Sequence, residues 1–175
     1  AAAARTQTDG TELEKLLAFE DDAVVLDKLA EIKRTKKQEL VAYVKEINNG
    51  KNVIHDPIYV KDKLEGIEVE LSIQFVDTFE ENILGFCNNI FTQEGGTHLV
   101  GFKTRFTQMI NSYARELGIL KEKEPNFTGA DTRNGMTAIV AVKHPDPIFE
   151  GQTKTKLASA DATKAVFSVS GDLLQ

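Results

Sequence analysis

The segment from Ile67 to Phe75 constrains the fold most, because apolar and polar residues alternate in it without interruption. A period of two places every apolar side chain of a β-strand on the same face of the sheet. The alternation therefore predicts a half-buried strand that needs a second layer of structure against its apolar side. That apolar side consists of Ile67, Val69, Leu71, Ile73 and Phe75.

Two more strands and an N-terminal helical region are predicted around it. Residues 83–91 are predicted to return beside the first strand after a polar turn over 77–81. Residues 136–142 are apolar at nearly every position, which is typical of a strand buried on both faces. Helical periodicity over 13–48 predicts two or three helices that end at Asn48-Asn49-Gly50.

An amphipathic helix is predicted over residues 97–117, with Thr97 as a candidate cap and Gly118 as a left-handed stop. Its apolar stripe, with members three or four residues apart, consists of Leu99, Phe102, Phe106, Met109, Ile110, Tyr113 and Leu117. Residues 158–175 are alanine-rich and weakly helical. Together these elements predict an α+β fold, an α/β sandwich in which helices back a sheet.

Composition limits the function classes. The chain has 175 residues, enough for one domain, and its net charge of −6 argues against a protein that coats DNA over its whole surface. The basic run over 33–37 has no interleaved aromatic residues, which favours a solvated helix face over a nucleic-acid patch. The single cysteine, Cys87, fits a reducing compartment such as the cytoplasm. No apolar stretch is long enough to cross a bilayer, so no membrane partner is expected.

No self-contained active site is evident in the sequence. The histidines His55, His98 and His144 lie too far apart to match a local metal-ligand spacing, so no metal site is expected. Cys87 lies among apolar neighbours, which favours a buried, inert thiol over a nucleophile. No serine or cysteine stands near a candidate base. We therefore expect no catalytic residue in this chain.

Two polar segments are the remaining candidates for a binding site. Glu94-Gly95-Gly96 directly precedes a predicted helix and could expose free amides to an anion, but a tight strand-to-helix turn is favoured. The reason is that no phosphate-loop lysine with a following serine or threonine is present there. Residues 149–156 follow His144-Pro145-Asp146-Pro147 and offer an amide, hydroxyls and two ammonium groups. Such a loop suits a phosphate, and a merely solvated loop is the alternative.

Three ordered segments resemble the ATPase subunits of type IIA DNA topoisomerases, the family of the B subunits of DNA gyrase and topoisomerase IV. They are residues 88–103 (NNIFTQEGGTHLVGFK), 126–143 (NFTGADTRNGMTAIVAVK) and 151–157 (GQTKTKL). The resemblance is strong over residues 66–157. The Leu99-Val100 pair after the glycines favours gyrase over topoisomerase IV.

The resemblance implies a transducer domain with a ribosomal-protein-S5-domain-2-like fold over residues 39–157. It implies a poorly matched helical or disordered lead-in over 1–38 and the start of a truncated exit helix over 158–175. The family's ATP-binding domain carries a catalytic glutamate and glycine-rich lid motifs, and neither is found in residues 1–65. ATP and Mg²⁺ would therefore be held mainly by an ATP-binding domain absent from this chain.

The resemblance also assigns roles to particular residues. Lys154 would contact the γ-phosphate of ATP with Gln152 beside it, and Lys103 would line the cavity that holds DNA, where gyrases often carry arginine. The implied function is to couple ATP binding and hydrolysis to DNA strand passage and supercoiling. The implied partners are DNA, the ATP-binding domain of the same polypeptide, the A subunit of gyrase and a second copy of the B subunit, which dimerises on binding ATP.

Two alternatives from other classes remain open. The chain could be a non-catalytic interaction module that keeps this fold, and an ATP-binding domain encoded upstream would argue against that. It could also be a nucleic-acid binder on the same fold, which would need a basic, aromatic-studded sheet face. Glu68 and Glu70 on the polar side of the first strand argue against the nucleic-acid binder.

Overall fold

The computed structural model describes residues 38–174, so the predicted helices before residue 38 and the basic run over 33–37 lie outside it. From Leu40 onward the chain forms one compact unit. In chain order the elements are α1 (38–47), β1 (Ile58–Leu64), β2 (Ile67–Phe75), β3 (Asn82–Cys87), β4 (Ile90–Phe91), α2 (Thr97–Glu116), α3 (Gly129–Thr132), β5 (Met136–Lys143), α4 (Ala160–Ser170) and a 3-10 turn (Gly171–Leu174).

The five strands form one mixed sheet in the order β1-β2-β5-β3-β4. The strand β5 lies in the centre, antiparallel to β2 and parallel to β3. A central strand with helices over its faces needs apolar residues on both sides. Every residue from Met136 to Val140 is buried, which confirms the predicted doubly buried strand.

Helices α2 and α4 cover the apolar face of β2 and β5. Phe102 and Phe106 of α2 are almost completely buried in this core, and Ile110 packs against its margin. Burying a side chain of this size contributes roughly 1.5–3 kcal/mol. The predicted packing of these three residues is therefore confirmed. The small residues of α4 that complete the core are Ala162, Ala165, Val166 and Val169.

The opposite face of the sheet carries the end of α1 and a buried polar network. The side-chain amide of Asn48 donates to Gln74 of β2 at 2.9 Å, and its oxygen accepts from the hydroxyl of Thr137 in β5 at 2.7 Å. The ring of Tyr43 meets Phe86 edge-on. Because an unpaired buried amide costs about 1–3 kcal/mol, this network fixes where the chain leaves α1 and enters the sheet.

The strand β1, over Ile58–Leu64, was not among the predicted strands. Its apolar residues alternate only as far as Val60, because Asp62 stands where the next inward residue would be. The sequence signal for it lies in the turn that follows. Glu65 and Gly66 have φ angles of 50° and 85°, the left-handed pair of a two-residue hairpin. This hairpin pairs β1 with β2 along its whole length.

The prediction of one continuous strand over 83–91 beside the strand over 67–75 was wrong, because the segment contains two strands and β5 lies between them and β2. The strand β3 ends at Cys87, and Asn88 and Asn89 then take left-handed φ angles of 51° and 65°. Asparagine tolerates this conformation because its short side chain can hydrogen-bond locally. The chain therefore reverses into the two-residue strand β4, which pairs back onto β3.

Both ends of α2 differ in part from expectation. Thr97 does not cap the helix: Gly96 occupies the cap position, and the Thr97 hydroxyl has no hydrogen-bond partner in the part of the chain that the structure describes. Leu117, the last residue of the predicted apolar stripe, is 73% exposed, and Ala114 takes the buried position near the helix end instead. Gly118 has a φ of 72°, so the predicted left-handed stop is confirmed.

Candidate functional site

The structure brings the glycine turn and the polar loop over 149–157 together. The N–H of Glu94 donates to the carbonyl of Thr155 at 2.9 Å. The N–H of Leu157 donates to the carbonyl of Gly95 at 3.0 Å, and the N–H of Thr97 donates to the carbonyl of Leu157 at 3.0 Å. Two segments about sixty residues apart therefore form one backbone-paired unit at the start of α2.

Glycine is required at the centre of this pairing. Gly96 has a φ of 137°, a conformation that L side chains rarely adopt, and it forms a parallel bridge with Leu157. A Cβ atom at residue 96 would overlap the backbone O, N and Cα atoms of Leu157. The glycine turn thus has two roles, because it ends the approach to α2 and allows the loop backbone to approach closely. The predicted tight turn is confirmed, and its contact with the loop was not predicted.

The loop itself is a short hairpin with a polar tip. Phe149 pairs with Leu157, and the N–H of Glu150 donates to the carbonyl of Lys156 at 2.8 Å. The Lys156 ammonium lies 3.2 Å from the Glu150 carboxylate. The tip extends from residue 151 to residue 155. These contacts fix the sides of the hairpin and place its tip in solvent.

The two residues that the resemblance singles out, Gln152 and Lys154, both lie exposed at this tip. Lys154 has a left-handed φ of 54°, unusual for a residue with a side chain. No carboxylate among residues 38–174 lies within ion-pair distance of its ammonium group. An exposed ammonium without an acidic neighbour is available to an anion.

His144 and Asp161, one on each side of the loop in the sequence, contact each other, and the sequence analysis did not single them out as a pair. The Nε2 atom of His144 lies 2.7 Å from the Asp161 carboxylate, and its Nδ1 accepts from the N–H of Asp146 at 3.0 Å. The Nδ1 atom therefore carries no proton and Nε2 donates to Asp161. This hydrogen bond holds the pKa of Asp161 below its usual range. The contact joins the end of β5 to the first turn of α4.

Lys103 lies on α2 and belongs to an ion-paired cluster whose other members come from two other segments of the chain. Its ammonium is 3.2 Å from the carboxylate of Glu81, and the guanidinium of Arg133 is 3.2 Å from the same carboxylate. The side chain of Lys103 remains 39% exposed, whereas that of Arg133 is 14% exposed. The structure therefore gives Lys103 an acidic neighbour that the sequence analysis did not anticipate.

The other candidate groups have structural environments. Cys87 is buried, and burial raises the pKa of its thiol to about 11, which disfavours the reactive thiolate. His55 accepts from the N–H of Phe75 at 3.0 Å and so helps to pin the segment before β1. Within residues 38–174, no three His, Cys, Asp or Glu side chains converge to hold a metal ion.

His98, within the glycine segment, is a buried neutral histidine. Its Nε2 lies 2.9 Å from the Thr92 hydroxyl, and burial lowers its pKa from 6.5 to about 4. Because the folded pKa lies below the unfolded one, the unfolded chain binds the proton more strongly, and stability falls as the pH drops below 6.5. By pH 4 we expect this histidine alone to cost roughly 3 kcal/mol of the free energy of unfolding.

Denaturant unfolding at pH 7, 5.5 and 4.5 measures this loss. His98→Gln keeps a polar atom near Thr92 but does not titrate, so its free energy of unfolding should fall less steeply with pH. Identical slopes for the two proteins would show that His98 does not cause the acid sensitivity.

Comparisons with known proteins agree with this geometry. The family model described as DNA gyrase B matches residues 39–175. The DNA gyrase B subunit of Bacillus mycoides is 50% identical over 131 residues, which cover 73% of this chain and 32% of that protein. The DNA gyrase B subunit of Streptococcus pneumoniae serotype 4 is 46% identical over 145 residues, which cover 80% of this chain and 22% of that protein.

A solved structure matches as well. The crystal structure of the 43K ATPase domain of Thermus thermophilus gyrase B in complex with an aminocoumarin is 34% identical, with a TM-score of 0.72. The match covers 79% of this chain and 37% of that chain. The mixed sheet backed by helices is thus an architecture shared with gyrase B ATPase domains, which confirms the predicted fold class.

The chain belongs to the DNA gyrase B family. The resemblance drawn from the three sequence segments is therefore confirmed. The chain spans only 22–32% of the length of the two relatives described above. None of the helices within residues 38–174 combines the length and the apolar character needed to cross a bilayer.

Proposed function

We propose that residues 39–157 are the transducer domain of a gyrase B protein, with a separate lead-in over 1–38 and the start of an exit helix over 158–175. The observation that carries this proposal is the backbone pairing of the glycine turn with the loop that presents Lys154. A loop anchored in this way to the first turn of α2 can transmit a force from its tip to the sheet.

The loop tip would sense the nucleotide. Lys154 would contact the γ-phosphate of ATP, and the amide of Gln152 would donate beside it. An ammonium is a mobile point charge suited to phosphate, and the left-handed backbone of Lys154 displays it at the tip. Loss of the γ-phosphate on hydrolysis would remove this contact and release the loop.

The nucleotide itself would be held elsewhere. We infer that ATP and Mg²⁺ bind mainly to an ATP-binding domain of the same polypeptide, because the resemblance to the type IIA topoisomerase ATPase subunits implies such a domain. The catalytic residues for hydrolysis would also belong to that domain. This chain would contribute the coupling between domains and not the chemical step.

The resulting activity would be mechanical. The full-length protein would hydrolyse ATP, dimerise on binding it, and act with the A subunit of gyrase to pass one DNA duplex through another and so supercoil DNA in the cytoplasm. Lys103 would line the cavity that holds DNA. The two side chains of its ion pair with Glu81 are 39% and 30% exposed, so the ammonium could exchange that carboxylate for a DNA phosphate.

Calorimetry separates this function from that of a self-sufficient nucleotide-binding protein. We expect the isolated chain to show no binding of a non-hydrolysable ATP analogue with Mg²⁺ up to millimolar concentration. A dissociation constant of 1 mM needs about 4 kcal/mol, whereas one charge-assisted contact supplies roughly 1.5–3 kcal/mol before the loop is ordered.

The control is the full-length protein, which should bind the same analogue. Micromolar binding by the isolated chain would reveal a complete nucleotide site within it. That result would overturn the assignment of the nucleotide to a neighbouring domain.

A further inference from the structure

Glu94 makes two contacts with the polar loop. Its N–H donates to the carbonyl of Thr155 at 2.9 Å, and its carboxylate accepts a hydrogen bond from the hydroxyl of the same residue. The Thr155 hydroxyl also lies 3.0 Å from the hydroxyl of Thr153. Backbone and side chain of one glutamate therefore both bind the residue that follows Lys154.

The directions of these hydrogen bonds are determined by chemistry. A hydroxyl has one proton, and that of Thr155 is donated to the carboxylate oxygen of Glu94. The Thr155 oxygen can then only accept from Thr153, so the protons run from Thr153 to Thr155 to Glu94. Glu94 thereby orders both hydroxyls that flank Lys154.

The ordered hydroxyls bear on the conformation of Lys154. Its left-handed φ of 54° is unfavourable for a residue with a Cβ and persists only where neighbouring contacts hold it. The backbone bonds of Gly95 and Leu157 fix the base of the loop, whereas the Glu94 carboxylate acts next to the tip.

We propose that Glu94 is a positioning residue that, through Thr155 and Thr153, holds the loop tip in the conformation that presents Lys154. This proposal rests on the proposed γ-phosphate contact of Lys154 for its effect on turnover, but not for its effect on the loop. Glu94 acts only through the shape of the loop.

Turnover by the full-length protein gives the first test. Glu94→Ala and Thr155→Val should each lower the kcat for ATP about five- to tenfold, the loss expected when one positioning hydrogen bond is removed. Glu94→Gln and Thr155→Ser keep an acceptor and a donor, so they should stay within about twofold of the parent. An equal loss in Glu94→Gln and Glu94→Ala would overturn the proposal. Glu65→Ala, an exposed acid on the β1–β2 turn, is the matched control.

A double variant tests whether the effect of Glu94 on turnover depends on Lys154. With Lys154→Ala already present, adding Glu94→Ala should change kcat no further, because its effect passes through Lys154. A further loss in that background would overturn the proposed route. Full turnover in Lys154→Ala itself would instead remove the γ-phosphate assignment, and the loop measurement would then decide on Glu94 alone.

That measurement is ¹⁵N relaxation over residues 151–155 in this chain. Glu94→Ala and Thr155→Val should increase fast motion of these amides, and Glu94→Gln should not, at unchanged melting temperature. Unchanged relaxation in both disruptive variants would overturn the positioning role, whatever the turnover shows.

Discussion

Lys154→Ala is expected to lower ATP turnover in the full-length protein by at least about tenfold, because one charge-assisted phosphate contact contributes roughly 1.5–3 kcal/mol. The residue lies at the exposed loop tip, so its removal leaves no cavity and no buried group unpaired. Stability should therefore be unchanged. Steady-state hydrolysis, with thermal melting as the check on folding, measures both quantities.

The neighbouring lysine provides the matched control. Lys156 lies 3.2 Å from Glu150 on the side of the hairpin, so its charge is already partly neutralised. We expect Lys156→Ala to reduce turnover much less than Lys154→Ala. Equal losses at the two positions, or no loss at either, would contradict the assignment of the γ-phosphate contact to Lys154.

The elements that could be predicted from the sequence are those with a long, clean period. The uninterrupted alternation of β2, the apolar run of β5 and the stripe of α2 each predicted an element that the structure contains. The strand β1 was not predicted because Asp62 interrupts the alternation of its apolar residues. The predicted strand over 83–91 extends beyond β3 because the Asn88-Asn89 turn lies inside an otherwise strand-like run. In both cases the strand boundary is marked by a turn whose residues have left-handed φ angles, and the period of the apolar residues does not reveal it.

The site was predictable as a set of motifs but not as an arrangement. The glycine turn and the loop were both recognised as motifs. Gly96 permits the close approach, but its residue type does not say which backbone approaches it. That partner is set by hydrogen bonds such as the one from the Glu94 N–H to the Thr155 carbonyl. The contact of His144 with Asp161 joins two elements through side chains that have no shared spacing. Glu81 beside Lys103 is likewise a product of the fold. Such contacts arise from tertiary packing, which no local pattern encodes.

Gly96→Ala tests that pairing directly and should destabilise the chain by about 2–6 kcal/mol. The native φ of 137° with ψ of −161° falls in a region that is nearly exclusive to glycine, and strain there costs about 1–3 kcal/mol. The added Cβ would also meet the backbone of Leu157, and overpacking of this kind costs roughly a further 1–3 kcal/mol. Backbone atoms cannot rotate away as a side chain can, so the loop must separate from the turn.

Gly118→Ala separates the two contributions. Gly118 also has a positive φ, 72°, but nothing lies within 4 Å of where its Cβ would stand. It should therefore cost only the conformational part, about 1–2 kcal/mol. Denaturant unfolding gives both free energies, and hydrogen exchange at the Leu157 and Thr97 amides reports the pairing. Faster exchange at those amides is expected in Gly96→Ala alone; equal costs and unchanged exchange in the two variants would mean that the loop does not depend on the close approach at Gly96.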